Sequence, residues 1–189
     1  MNDIFRGLAF TEDERNRIAG SLQKLRLERK EYLIKPGEIV QNFYYIQSGC
    51  LRTYLIDPTG KEHTLQFAVR GWWTSDYIAL FGKVNTKSVA YIECIQDAAL
   101  YKVAKSDFDD LCRKIPKVGR LHVQNLESAF AAFQRRILEN LMLPAKARYV
   151  AFVQAYPNIE QSVKNYHIAS YLGITTESLS RIRREISAG

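Results

Sequence analysis

The sequence is short of cysteine and histidine. Its 189 residues hold three of each: Cys50, Cys94 and Cys112, and His63, His122 and His167. Dispersed cysteines in odd number exclude a disulfide framework and a Cys-x-x-Cys metal site. The histidines are as scattered, so no ligand set for zinc or another transition metal gathers along the chain. No nucleophile–base–orienter set and no glycine-rich phosphate-binding loop is visible, so the chain is not read as an enzyme. No apolar run approaches the length of a membrane span. The opening Met1-Asn2-Asp3-Ile4-Phe5-Arg6 lacks the pattern of a secretion signal. The expectation is a cytoplasmic protein with no membrane partner. Internal repeats and low-complexity linkers are missing too.

What is present is ample apolar content and an excess of positive charge. Apolar residues make up 47% of the chain, enough for a core. The formal charge is +7 and the isoelectric point near 9.3, which favours an anionic partner. From Arg135 onward stand eight basic residues (Arg135, Arg136, Lys146, Arg148, Lys164, Arg181, Arg183, Arg184) against Glu139, Glu160, Glu177 and Glu185. Over half of the net charge therefore lies in under a third of the chain.

Taken in order, residues 3–24 read as one or two short helices, with Thr11 capping a segment led by Glu12, Asp13 and Glu14. From Leu25 to about Val103, short apolar runs alternate with turn signals. Tyr32-Leu33-Ile34 precedes Lys35-Pro36-Gly37-Glu38, Phe43–Ile46 precedes Gln47-Ser48-Gly49, and Leu51–Ile56 precedes Asp57-Pro58-Thr59-Gly60. Further runs follow at His63–Val69, Ser88–Ile95 and Ala99–Val103. Such spacing predicts an antiparallel barrel or sandwich. Ser106 is the expected cap of the next helix, and Pro116 restarts it at a first-turn position. The segment then runs helically to about Leu141, with Leu126, Ala129, Phe130, Phe133, Ile137 and Leu141 in one stripe. That stripe can pack on the chain's own barrel or form a helix-to-helix seam with a second copy. Leu143-Pro144 breaks the helix. Another helix, Ala145 to about Tyr156, turns Ala147, Val150, Ala151 and Val153 inward, and Pro157-Asn158 closes it.

The last stretch reads as two helices around a sharp turn. Ile168, Ala169 and Leu172 give the first an apolar face, and Gly173 can take the positive φ that ends it. Thr175 suits the N-cap of the second, with Glu177 in its first turn. At about 100° per residue, Leu179, Ile182 and Ile186 gather on one face. Glu177, Arg181 and Arg184 gather roughly opposite, flanked by Thr176, Ser178, Ser180 and Arg183. Arginine can pair with guanine O6/N7 and glutamate can accept from cytosine N4, so this face suits the DNA major groove. An ordinary helical hairpin with a solvated charged face is the alternative. The expected fold is α+β: an N-terminal antiparallel β-roll (jelly-roll-like) over 1–115, a long connecting and dimerisation helix over 116–142, and a helix-turn-helix domain over 143–189.

These motifs together resemble the Crp/Fnr family of bacterial transcription regulators. Leu33–Glu38 followed by Phe43–Gly49 resembles the opening hairpins of a cyclic-nucleotide-binding roll. Ser106-Asp107-Phe108 resembles the start of the helix that closes it, and Thr175–Arg181 the recognition helix. The resemblance implies a homodimer joined along the long helix and reading a pseudo-palindromic double-stranded DNA site, with RNA polymerase as a further candidate partner. It carries base contacts to Thr176, Glu177 and Arg181. Thr176 departs from relatives that have arginine or another long polar residue there.

The effector site departs further. The family's phosphate cassette has Gly-Glu, then an arginine and a small hydroxyl residue. Here Ser75 stands for the glycine and Asp76 for the glutamate, and no arginine lies between Arg70 and Arg113. Lys87-Ser88 is the nearest substitute, and lysine cannot form the guanidinium fork. The expectation is that cAMP and cGMP are not bound. Trp73, Thr74, Ser75, Asp76, Lys87 and Ser88 are the candidate pocket for an unknown effector. Trp72, Trp73, Tyr77 and Phe81 could line an apolar pocket or be packing. No iron–sulfur ligation is expected, because the first cysteine is Cys50, and His63 alone is a weak haem ligand. No cofactor is evident. Two competing readings are an adaptor that keeps the roll without binding DNA and a cupin-type metalloenzyme, the latter opposed by the histidine count.

Overall fold

A computed structural model describes residues 4–5, 7–83, 85–157, 159–160 and 163–187; Asn158, expected above to help close a helix, lies outside them. The chain divides into two compact units. Met1–Leu55 and Gln66–Leu126 form the first, and Ile56–Leu65 and Glu127–Gly189 the second.

In the first unit, helix α1 (Glu12–Ser21) opens with a full capping box. Thr11 accepts from the Glu14 N–H, and the Glu14 carboxylate accepts from the Thr11 N–H. Six strands follow: β1 (Gln23–Leu27), β2 (Tyr32–Ile34), β3 (Asn42–Ile56), β4 (Glu62–Val69), β5 (Trp73–Thr74) and β6 (Tyr91–Ala104). The sheet order is β1-β6-β3-β4, with β2 added on β6 and β5 on β3. The pairings of β6 with β1, β2 and β3, and of β5 with β3, are antiparallel, as the alternating runs predict. Two expectations fail in an instructive way. Phe43–Ile46 and Leu51–Ile56 are one strand, not two, and the last runs also merge into β6. Gln47-Ser48-Gly49 is not a turn but a series of bulges, with the β3–β6 register shifting between Ile46 and Leu51. Gly49 has φ 90°, and a Cβ there would stand 2.3 Å from the Asp97 carbonyl oxygen. The glycine is needed for close backbone approach inside a strand.

Phe43 centres the core. Its ring lies 5.1 Å from Phe108, 5.6 Å from His122 and 6.4 Å from Trp73. Helix α2 (Tyr77–Phe81) is short, and α3 (Lys105–Lys114) follows β6 directly. Ser106 is not the cap of α3. The cap position is Ala104, with no side-chain acceptor, and Ser106 sits within the helix. The Lys105 N–H donates to the Gln41 carbonyl at 2.8 Å, so a neighbouring backbone supplies what a cap would have. Helix α4 (Pro116–Met142) is shared between the units, with its buried contact at Val118. Phe130, Phe133, Ile137, Leu138 and Leu141 are exposed on the chain, Phe130 at 62% and Leu141 at 78%.

The second unit holds the end of α4, helices α5 (Ala145–Ala155), α6 (Asn165–Leu172) and α7 (Thr176–Ser187), and the hairpin segment 56–65, called the arm below. Tyr149 and Phe152, not Val150, are the buried residues of α5. Phe152 meets Tyr156 at 5.3 Å and Tyr171 at 5.3 Å, so aromatic bulk sets which face turns inward. No helix among the described residues is long and apolar enough to cross a membrane.

Candidate nucleic-acid interface

Helix α6 ends as its sequence predicts. Gly173 is left-handed (φ 66°, ψ 34°), its N–H reaches Ser170, and the Ile174 N–H returns to the Ala169 carbonyl at 3.0 Å. The chain thereby reverses within a few residues. Thr175 then caps α7, accepting from the Ser178 N–H at 3.2 Å. Leu179 and Ile182 are buried beside Ile168, Ala169 and Leu172, while Ile186, predicted inward, is partly exposed near the helix end. The two helices are thus locked as a turn-linked pair with one face of α7 turned out.

That outward face carries Glu177, Ser180, Arg181 and Arg184, all exposed. Neither Arg181 nor Arg184 has an ion-pair partner among the described residues. Glu177 is held below the ordinary carboxylate range by its own backbone N–H and the hydroxyls of Thr175 and Thr176. It is ionised at neutral pH and can only accept hydrogen bonds. Thr176 donates to Glu177 at 3.1 Å, and Ser180 back-bonds to the Thr176 carbonyl at 2.9 Å. Arg183 points elsewhere. Its guanidinium binds Glu160 at 2.8 Å, Asn165 at 2.5 Å and the Tyr149 hydroxyl at 3.2 Å, and Tyr149 itself donates to Glu160 at 2.6 Å. This network ties α7 to α5 and α6. Helical periodicity could not reveal it, because it crosses up to 34 residues.

Of the six candidate effector residues, four are buried: Thr74, Ser75, Asp76 and Ser88. Asp76 caps α2 through Oδ1, accepting from the Ile78 and Ala79 N–H groups at 3.0 and 3.2 Å. Its Oδ2 accepts from the Ser88 hydroxyl at 2.6 Å. Ser88 also accepts from the Ala90 N–H at 3.1 Å, and Ser75 donates to the Asn42 carbonyl at 2.8 Å. Trp73 packs against Phe43, Tyr45 and Phe108. Lys87 forms an isolated bridge with Ile39 at the surface. The polar groups of this stretch satisfy one another. Among the described residues, no three His, Cys, Asp or Glu side chains converge as a metal site.

Sequence reasoning missed Arg136 and Ser170. Arg136, on α4, donates to the carbonyls of Leu65, Thr64 and Tyr171, the last two at 3.0 Å, and its guanidinium lies 3.9 Å from the centre of the Tyr171 ring. Ser170 accepts from the N–H of Thr64 at 2.9 Å and donates to the Glu62 carbonyl at 2.7 Å. Both residues fasten the arm to α6. The one available signal was Arg136 itself, a cation beside the apolar stripe of α4.

Comparison with known proteins agrees with this architecture. Residues 24–115 match the cyclic nucleotide-binding domain family. An anaerobic regulatory protein of Aggregatibacter actinomycetemcomitans is 25% identical over 171 residues, covering 85% of this chain and 65% of the relative. The alignment is longer than the roll, so it continues into the helical part. The chain spans about two thirds or less of the length of the first such relatives, 65% and 61%. The structure of FixK2 from Bradyrhizobium japonicum superposes with a TM-score of 0.74 at 16% identity, covering 88% of this chain and 85% of that one. A candidate Crp/Fnr-family transcriptional regulator from Eubacterium rectale gives 0.70 at 16%, covering 95% and 84%.

Proposed function

We propose that the chain is a regulator of the Crp/Fnr type, a sequence-specific DNA-binding transcription regulator acting as a homodimer, a reading supported by the cyclic nucleotide-binding domain match over residues 24–115 and by its similarity to the anaerobic regulatory proteins. The observation that carries the reading is the outward face of α7. Arg181, Arg184 and the ionised Glu177 stand exposed on a helix whose opposite face is locked into its domain. Exposed lysines and arginines set affinity and register on the phosphates, while Glu177 and Arg181 read base edges. Thr176, Ser178 and Ser180 border the same surface. Arg183 serves the reading by holding the helix in place rather than by touching bases.

In this reading residues 1–115 are the sensor roll, 116–142 the dimerisation helix and 143–189 the reader. The exposed Phe130, Phe133, Ile137, Leu138 and Leu141 form the seam for a second copy, since an apolar stripe of this length is rarely left to water. RNA polymerase is the further partner a regulator of this kind would meet. The Trp73–Asp76 and Lys87-Ser88 stretch remains the place for an effector, and a cyclic nucleotide is not that effector. It would have to bind without a guanidinium fork, since no arginine lies between Arg70 and Arg113.

The test is a selection from random duplexes at physiological salt with no ligand added. Recovery of a pseudo-palindrome with half-sites about one helical turn apart is the expected result. Binding without sequence preference at every salt concentration would refute the base-reading role. No binding even at low salt would leave the adaptor reading in its place.

A further inference from the structure

The arm approaches the reading helix, and this contact has a use. Its tip is a closed loop. Asp57 Oδ1 accepts from the Thr59 N–H at 2.8 Å and hydroxyl at 2.6 Å and from the Lys61 N–H at 3.1 Å. Oδ2 pairs with His63 at 2.7 Å. The one aspartate of the arm is thereby consumed inside the loop. Behind the tip, Ser170 and Arg136 bind the backbone from Glu62 to Leu65, so the arm is fixed to α6 at several points.

The result is a cleft of about 330 Å³ lined by Lys61 and Glu62 from the arm, Tyr166 and Ser170 from α6 and Thr176, the first residue of α7. Lys61 is exposed and has no ion-pair partner among the described residues. A second lysine, Lys164, lies 5.5 Å from the Tyr166 ring. Lys61 thus shares a cleft with Tyr166 and Thr176, and Lys164 stands by the same ring. Among the described residues the Lys61 ammonium neither closes the loop nor pairs with an acid.

We propose that the arm is a third DNA-contacting element, in which Lys61 binds a backbone phosphate of the duplex just outside the bases read by α7, with Ser170 and Arg136 as the positioning residues. The proposal rests on the DNA-binding reading above. A contact of this kind adds affinity to every sequence equally, because phosphates carry no base information. It also makes binding steeper in salt by the release of about one counterion, which is about 0.9 in the slope of log K against log salt.

The experiment uses the full chain and the selected duplex, made with long and with trimmed flanks, titrated at several salt concentrations. Lys61→Gln is expected to weaken binding about 3- to 10-fold on specific and random duplexes alike, and to flatten the salt slope by about 0.9. On the trimmed duplex the difference from the unaltered chain should vanish. Ser170→Ala, which frees the arm, should reproduce part of the loss on the long duplex. Unchanged affinity and slope in Lys61→Gln would overturn the proposal while leaving the regulator reading intact. Tighter binding by Ser170→Ala would overturn it in the other direction, by showing that the arm shields the helix. If the unaltered chain shows no selective binding, the regulator reading fails first, and the two failures remain distinct.

Discussion

Asp76 and Glu177 are both acids in the first turn or at the cap of a helix, and both have hydroxyl side chains nearby. Their fates differ. Asp76 is buried and spends both oxygens inside the chain, on two backbone N–H groups and on Ser88. Glu177 is exposed, and its neighbours Arg181 and Arg184 have no acid among the described residues to answer them. Polar residues that satisfy each other hold a fold together. Polar residues left outward on a rigid support are available to something else. The comparison separates a self-satisfied polar cluster at Asp76 and Ser88 from an outward polar face on α7, although sequence alone marks both as candidate sites.

Substitution should separate the two. Asp76→Ala removes a helix cap and a charged hydrogen bond to a buried hydroxyl, so it should lower unfolding stability by about 2–4 kcal/mol. Denaturant melting of the purified chain measures this. A loss under about 0.5 kcal/mol would mean that the buried cluster is not structural. Arg181→Ala should leave stability within about 0.5 kcal/mol, because it is a surface change away from any cap or core, and Glu177→Ala, in the first turn of α7, should cost no more than about 1 kcal/mol. Arg181→Ala should instead cost about 1–3 kcal/mol of specific DNA binding and relax preference at one base pair. An equal loss on all sequences would show that Arg181 meets phosphate only.

Ser88→Ala sharpens the same contrast from the other partner. It leaves Asp76 its two backbone donors but removes the 2.6 Å hydroxyl. The expected cost is about 1–2 kcal/mol, smaller than for Asp76→Ala. In a double-mutant cycle, Asp76→Asn and Ser88→Ala should be non-additive by at least about 0.5 kcal/mol, as expected for residues in contact. Additive effects would sever the pair.

The difference between the two clusters also decides what could be seen in the sequence. The helix-turn-helix was legible because its signals are local. Gly173, Thr175 and the spacing of Leu179 and Ile182 act within one or two helical turns, and the structure uses each as read. The strands were legible in kind but not in count. Gly49 carries the positive φ that a turn signal promises, yet it spends it on a bulge against Asp97, because the partner strand continues past it. Which polar groups pair across the chain was not legible. Ser88 reaches Asp76 across 12 residues, Arg136 reaches Thr64 across 72, and Ser170 reaches Glu62 across 108. No periodicity encodes such partners, since they arise only when strands and helices are brought together. The same limit made Ser106 look like a cap, when the Gln41 backbone already filled that role.

The smallest effect concerns a half-buried titratable group on α4 that packs against the aromatic core. His122 lies between Phe43 and Phe108, with ring centres at 5.6 and 4.8 Å. Burial holds its pKa below the usual imidazole value, against a weaker upward pull from Asp109. The unfolded chain therefore takes up this proton at a higher pH than the folded one. Stability from this site is complete above about pH 6.5 and is lost as pH falls from there toward the lowered folded value. His122→Leu, which cannot titrate and keeps an apolar side chain, should remove that part of the acid sensitivity. Helix α7 offers the counter-case, since Glu177 is held ionised and keeps its charge well below neutral pH. Acidifying from pH 7 to 6 should thus leave the charge of Glu177 unchanged while the packing around His122 begins to weaken. If melting between pH 5 and 7 were the same for the unaltered chain and His122→Leu, the imidazole would be charged and solvated in the fold, and its place in the aromatic core would be wrong.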